Sequence, residues 1–84
     1  MLKNIENRYK YLNLRSEILR AGFEKEDDFA KFINMKPRTL KSRLMGLTPF
    51  TISEIKKISF KLKEISGADE RIEFPYLFKE VSEQ

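Results

Sequence analysis

Nine cations gather in the middle of this chain: Lys31, Lys36, Arg38, Lys41, Arg43, Lys56, Lys57, Lys61 and Lys63, against Glu54 alone. Residues 31–63 carry a net +8, between a neutral stretch (1–30) and an acidic one (64–84, net −4). A block of this kind draws a polyanion to one side of a molecule. Within it, Lys36, Arg38, Thr39, Lys41, Ser42 and Arg43 interleave charge with hydroxyl groups. Arg and Lys donate to guanine O6 and N7, and Ser or Thr to several base acceptors. A well-formed bidentate contact discriminates between bases by about 1–3 kcal/mol.

Catalysis has much less to work with. There is no His and no Cys, which also removes the usual zinc ligands and any disulfide. No Gly-rich phosphate loop is present. Asp27 and Asp28 are adjacent carboxylates, but neighbours on a helix point about 100° apart. They suit the positive end of a helix dipole better than acid–base chemistry. The residues point away from an enzyme and offer no cofactor, metal or small-molecule substrate site.

The cations and hydroxyls need a helix to aim them, and Pro37 is an apt first residue for one. It has a helical φ and lacks an N–H that would have no partner there. Lys36 before it is pushed toward extended backbone, as an N-cap requires. Taking Leu40 as zero and about 100° per residue, Leu44 lies at about 40° and Pro37 at about 60°. That side must face inward. Arg38, at about 160°, and Ser42, at about 200°, lie opposite, with Met45 at about 140° and Thr39 at about −100°. Lys41 and Arg43 flank them. Gly46 ends this third helix.

The preceding segment reads as a short second helix, Lys25 to Ile33, with Glu26, Asp27 and Asp28 in its first turn and Phe29, Ala30, Phe32 and Ile33 as its apolar face. Asn34 follows where the chain must turn, being tolerant of left-handed backbone. Two short helices and a tight turn are the layout of a helix-turn-helix. A first helix is expected at about Arg8 to Ala21, on the spacing of Tyr9, Leu12, Leu14, Ile18, Leu19 and Ala21, with Gly22 as its cap and Phe23 folded back on the core. A fourth is expected over 52–65, opened by a Thr51/Glu54 capping box with Phe50 and Ile55 placed as a hydrophobic staple. Its inward spacing is Ile52, Ile55, Ile58, Leu62 and Ile65, and Ser66-Gly67-Ala68 breaks it. In the tail, Arg71 to Phe74 reads as extended and Pro75 to Val81 as a short fifth helix. The fold class is all-α: a compact bundle of four to five short helices in one domain. Residues 1–7 read as a flexible arm, 8–66 as the helical core and 69–84 as an apolar tail. Lys56, Lys57, Lys61 and Lys63 read as the wet face of the fourth helix.

Eighty-four residues bury only a small core, so a partner chain is a natural means of support. Ile72, Phe74, Leu77 and Phe78 are too apolar for a free tail and are expected to pack on the domain or to form a dimer contact. Met1 to Lys10 holds no apolar run of signal-peptide length, and no run approaches the roughly 20 apolar residues of a membrane span. A cytoplasmic protein with no membrane partner is expected.

Residues Leu12 to Leu62 resemble the lambda-repressor-like helix-turn-helix domains of phage repressors and Cro-type regulators. The resemblance rests on Leu14-Arg15, Phe29-Ala30, Ile33-Asn34-Met35, Thr39-Leu40, Leu44-Met45-Gly46 and Thr51-Ile52-Ser53-Glu54-Ile55. It implies a bundle in which Ala30 allows the second and third helices to approach and the third enters the DNA major groove. It assigns base contacts to Arg38, Lys41, Ser42 and, at the helix end, Met45. It assigns phosphate contacts to Lys36, Thr39, Arg43 and the start of the fourth helix near Thr51. It further implies a phage- or prophage-type transcriptional repressor that binds a palindromic double-stranded operator as a dimer. The chain departs from the family pattern at Asn34, where Gly is usual, at Arg43, often apolar, and at Glu26-Asp27-Asp28, where Gln is common. The acidic start and apolar tail fit a second reading: a protein-interaction module on the same fold, such as an antitoxin, antirepressor or phage accessory protein.

Overall fold

Capping and apolar spacing cut this chain into short helices, and the structure realises five of them. The computed structural model describes residues 9–66 and 73–81. Its helices are α1 (Leu12–Arg20), α2 (Glu26–Phe32), α3 (Pro37–Leu44), α4 (Ile52–Ser66) and α5 (Phe74–Leu77). They form a compact all-helical domain with no strand among the described residues. Among the described residues, no helix is long and apolar enough to cross a membrane. The expected arm at 1–7 and the break at Gly67-Ala68 lie outside the described residues, as do Arg71 and Ile72.

Each helix contributes a small apolar stripe to one core. Leu14 and Ile18 come from α1, Phe29 and Ala30 from α2, Leu40 and Leu44 from α3, Ile58 and Leu62 from α4, and Leu77 from α5. Tyr9 and Ile33 join them from outside the helices. Phe23 does fold back, its ring edge-on to Phe29 at 5.2 Å and tilted against Phe32 at 5.6 Å.

The connections follow from backbone chemistry. After α2, Asn34 adopts φ 62°. The Met35 N–H then donates to the Ala30 carbonyl and the Asn34 N–H to that of Lys31, a complete Schellman cap. Gly46 (φ 80°) ends α3 in the same way, with Leu47 bonded to Ser42 and Gly46 to Arg43. A Cβ at Gly46 would stand 2.5 Å from Lys10 Cδ, so glycine is favoured there by conformation and by contact. The capping box of α4 is reciprocal: Thr51 N–H donates to Glu54 Oε1 (2.9 Å) and Glu54 N–H to Thr51 Oγ1 (3.1 Å).

Three expectations are corrected. Helix α1 starts at Leu12 rather than Arg8, because the backbone before it has partners elsewhere. Lys10 and Tyr11 N–H both donate to the Leu44 carbonyl, and the Lys10 carbonyl accepts from Val81. The first two satisfy a carbonyl at the C-terminal end of α3, and they commit the Tyr11 N–H, which a helix begun at Arg8 would need for its first turn. Phe74 opens α5 and does not continue an extended segment. On α4, Ile52 and Ile65 are exposed, while Ile58 and Leu62 carry the burial. Ile52 lies about 120° around the helix from Ile58, and Ile65 sits in the last turn.

Candidate nucleic-acid interface

Helix α3 is held to the domain by two fully buried leucines one turn apart, Leu40 and Leu44. Lys36 is its N-cap, extended at φ −69°, ψ 134°, and Pro37 is its first residue. The cations on its free side therefore have fixed starting points. Lys36, Arg38 and Lys41 are exposed, Thr39 is half-buried, and among the described residues none of the three cations takes part in an ion pair.

The rest of the expected contact set has other engagements. Arg43, expected at a phosphate, grips Glu54 with two parallel hydrogen bonds, Nε to Oε1 at 2.9 Å and Nη2 to Oε2 at 3.0 Å. Its Nη1 donates to Thr48 Oγ1 at 2.7 Å. The hydrogen bonds to Glu54 raise the Arg43 pKa, and the hydrogen bonds from Arg43 chiefly lower that of Glu54. Since Glu54 also closes the α4 capping box, one carboxylate ties α3, the 45–51 loop and α4 together. Arg43 is thus a structural residue, because a bidentate carboxylate is a stronger partner than water. Ser42 shares a 3.0 Å hydroxyl contact with Thr48, so its oxygen is partly engaged. Met45, expected outward, is half-buried and packs against the core.

The nine-cation block divides accordingly. Arg43, Lys61 and Lys63 pair with Glu54, Glu64 and Glu73. Lys57, expected to be merely wet, donates from Nζ to the Ile33 carbonyl at 3.1 Å, where α2 ends with unsatisfied acceptors. Lys31, Lys36, Arg38, Lys41 and Lys56 keep their charge without an ion-pair partner among the described residues, and three of these five belong to α3 and its cap.

The acidic start of α2 is less uniform than its sequence suggests. Glu26 points inward and accepts from Arg15 Nε at 2.7 Å and Tyr9 Oη at 2.8 Å. The Arg15 guanidinium lies 4.6 Å from the centre of the Tyr9 ring. Burial pulls the Arg15 pKa down, but the bond and charge of Glu26 reverse this and leave it raised. Burial first, and Glu26 second, raises the Tyr9 phenol. Asp27 and Asp28 remain exposed. Lys41 lines the same surface depression as Glu24, Glu26 and Asp27, so α3 brings a cation beside these acids.

The expected dimer residues are also redistributed. Leu77 is fully buried in the chain's own core. Phe78 is half-buried, its ring edge-on to Phe50 at 5.1 Å and to Tyr11 at 6.1 Å. Tyr76 fastens the same segment to α1: its hydroxyl donates to the buried Glu17 at 2.7 Å, and its carbonyl accepts from Asn13 at 2.9 Å. Of the two expected roles, Leu77 and Phe78 thus take packing on the chain's own domain. Ile72 and the side chain of Phe74 lie outside the described residues. Sequence periodicity gave no hint of Glu17, Thr48 or Lys57 as structural partners; only the Thr51/Glu54 spacing marked one member of their networks.

Comparison with protein-family models, with curated proteins and with solved structures returned no match.

Proposed function

We propose that this chain binds double-stranded DNA in a sequence-specific manner, with α2 and α3 as a helix-turn-helix and α3 as the major-groove reader of a transcriptional repressor. The observation that carries the reading is the trio Lys36, Arg38 and Lys41. They are exposed and have no ion-pair partner among the described residues, on a short helix anchored by Leu40 and Leu44. Arg38 is the base-reading residue, Lys36 a phosphate contact at the helix start, and Lys41 a contact at the α2 side. Thr39 and the free hydrogen-bonding capacity of Ser42 complete the set. Arg43 leaves it, and Met45 contributes little beyond packing. With Leu77 and Phe78 committed to the monomer, two copies would pair on a palindrome whose half-sites lie about one helical turn apart.

Selection from random duplex DNA tests this. Recovery of a palindrome, with affinity falling steeply as salt rises, is the expected outcome. Arg38→Ala should relax one base position, and Lys36→Ala should weaken all sequences about equally. No enrichment and no duplex binding at low salt would overturn the proposal. A protein-interaction module is the second reading. The specific observation in its favour is the exposure of Asp27 and Asp28 in the first turn of α2, where a phosphate backbone would be repelled.

A further inference from the structure

Helix α4 has a second stripe besides the one it buries. Ile52, Ile55, Lys56, Ser59, Phe60 and Lys63 recur at the spacing of one helix face and line an open groove of about 540 Å³. Ile52 is 72% exposed and Phe60 61%. Beside the groove, the Lys61 ammonium lies 6.0 Å from the centre of the Phe60 ring and 5.5 Å from that of the exposed Phe32. Large apolar side chains gathered on one surface mark an interaction site more often than scattered ones do.

The charges around this groove decide what fits it. Lys56 is exposed in its middle and has no ion-pair partner among the described residues. Lys63 stands at one end, holding Glu73, the one carboxylate among the described residues that lines the groove. A second copy docked by two-fold symmetry would set Ile52 against Phe60 and Lys56 against Lys56, placing like charges at the centre of the contact. The groove also contains a buried hydroxyl, Ser59 Oγ, with no hydrogen-bond partner among the described residues. From Ile52 to Lys63 the stripe runs about 16 Å, the length of about three helical turns.

We infer that this face of α4 docks an amphipathic helix of a protein partner, with apolar residues against Ile52 and Phe60 and carboxylates facing Lys56. Such helix-in-groove recognition uses anchors at i, i+3, i+4 and i+7. The surface is separate from the α3 trio, so the partner and DNA need not compete for the same residues.

Two synthetic peptides of about 18 residues test it on the full chain. Both carry the same Leu/Phe stripe at i, i+3, i+4 and i+7; one is flanked by Glu and the other by Lys. The Glu-flanked peptide should bind, shift the amide resonances of Ile52, Ser59 and Phe60, and weaken with salt. Phe60→Ala, at an exposed position that leaves thermal melting unchanged, should lower its affinity about 10-fold or more. Lys56→Glu should move the preference toward the Lys-flanked peptide. Equal binding of both peptides, or binding of neither up to about 1 mM, the weak end of specific affinity, would overturn the inference. So would a dimer in sedimentation equilibrium that Phe60→Glu dissolves, since a second copy would then be the occupant.

Discussion

Helix α3 was expected from sequence to meet a partner, and the C-terminal segment either a partner or the chain's own core; the fold treats them oppositely. On α3, Lys36, Arg38 and Lys41 stay in solvent. In the C-terminal segment, Leu77 enters the core and Phe78 joins a ring cluster with Tyr11 and Phe50. The difference is one of hydration. A hydrated ammonium or guanidinium is stable on the outside, whereas apolar side chains gain about 25 cal/mol for each Å² they remove from water. A small domain therefore draws its apolar tail inward before a partner can use it. Arg43 shows the limit of the rule for charge: a cation is also drawn in when a carboxylate can meet it with bidentate geometry.

The largest test of this contrast lies in the C-terminal segment. Leu77→Ala should destabilise the domain by about 2–5 kcal/mol, as expected for a fully buried leucine, and leave its oligomeric state unchanged. Denaturant unfolding with sedimentation equilibrium reads both. A loss of dimer without loss of stability would return Leu77 to an interface. Next comes the contrast inside α3. Arg43→Ala should remove about 1–3 kcal/mol, because it leaves Glu54 without its main charged partner. Arg38→Ala should change stability by less than about 0.5 kcal/mol. Paired thermal melts decide, and equal losses from the two would erase the distinction between a structural and a free cation.

The smallest expected effect is a pH dependence. Arg43 holds the Glu54 pKa below its ordinary 4.5, so the unfolded state takes up a proton there first. The stabilisation is present above 4.5 and is lost as pH falls through the depressed folded value. Arg43 stays charged throughout. The stability gap between the natural chain and Glu54→Gln should therefore be widest at neutral pH and narrow below 4.5. A gap that stays constant on acidification would mean that the pair contributes by packing alone.

Much of the architecture was legible in the residues because its signals are local. Pro37 after an extended Lys36, Asn34 and Gly46 at left-handed caps, and Thr51 three residues before Glu54 each specify a helix end through the backbone of its own neighbourhood. The i, i+4 pair Leu40 and Leu44 fixed the buried side of α3 in the same way. The start of α1 was not legible, since it is set by the Leu44 carbonyl and by Val81, far along the chain.

The sequence by itself determined an all-helical chain, the ends of its middle helices and a basic block on α3, because caps and periodicity act over a few residues. Tertiary structure alone decided which charges stayed available. Arg15 met Glu26, Arg43 met Glu54 and Lys57 met the end of α2 only when separate helices packed together. Lys36, Arg38 and Lys41 kept their charge unpaired because no carboxylate came within ion-pair distance of them among the described residues. Charge in a sequence is a count; whether it can act on a partner depends on the neighbours that folding supplies.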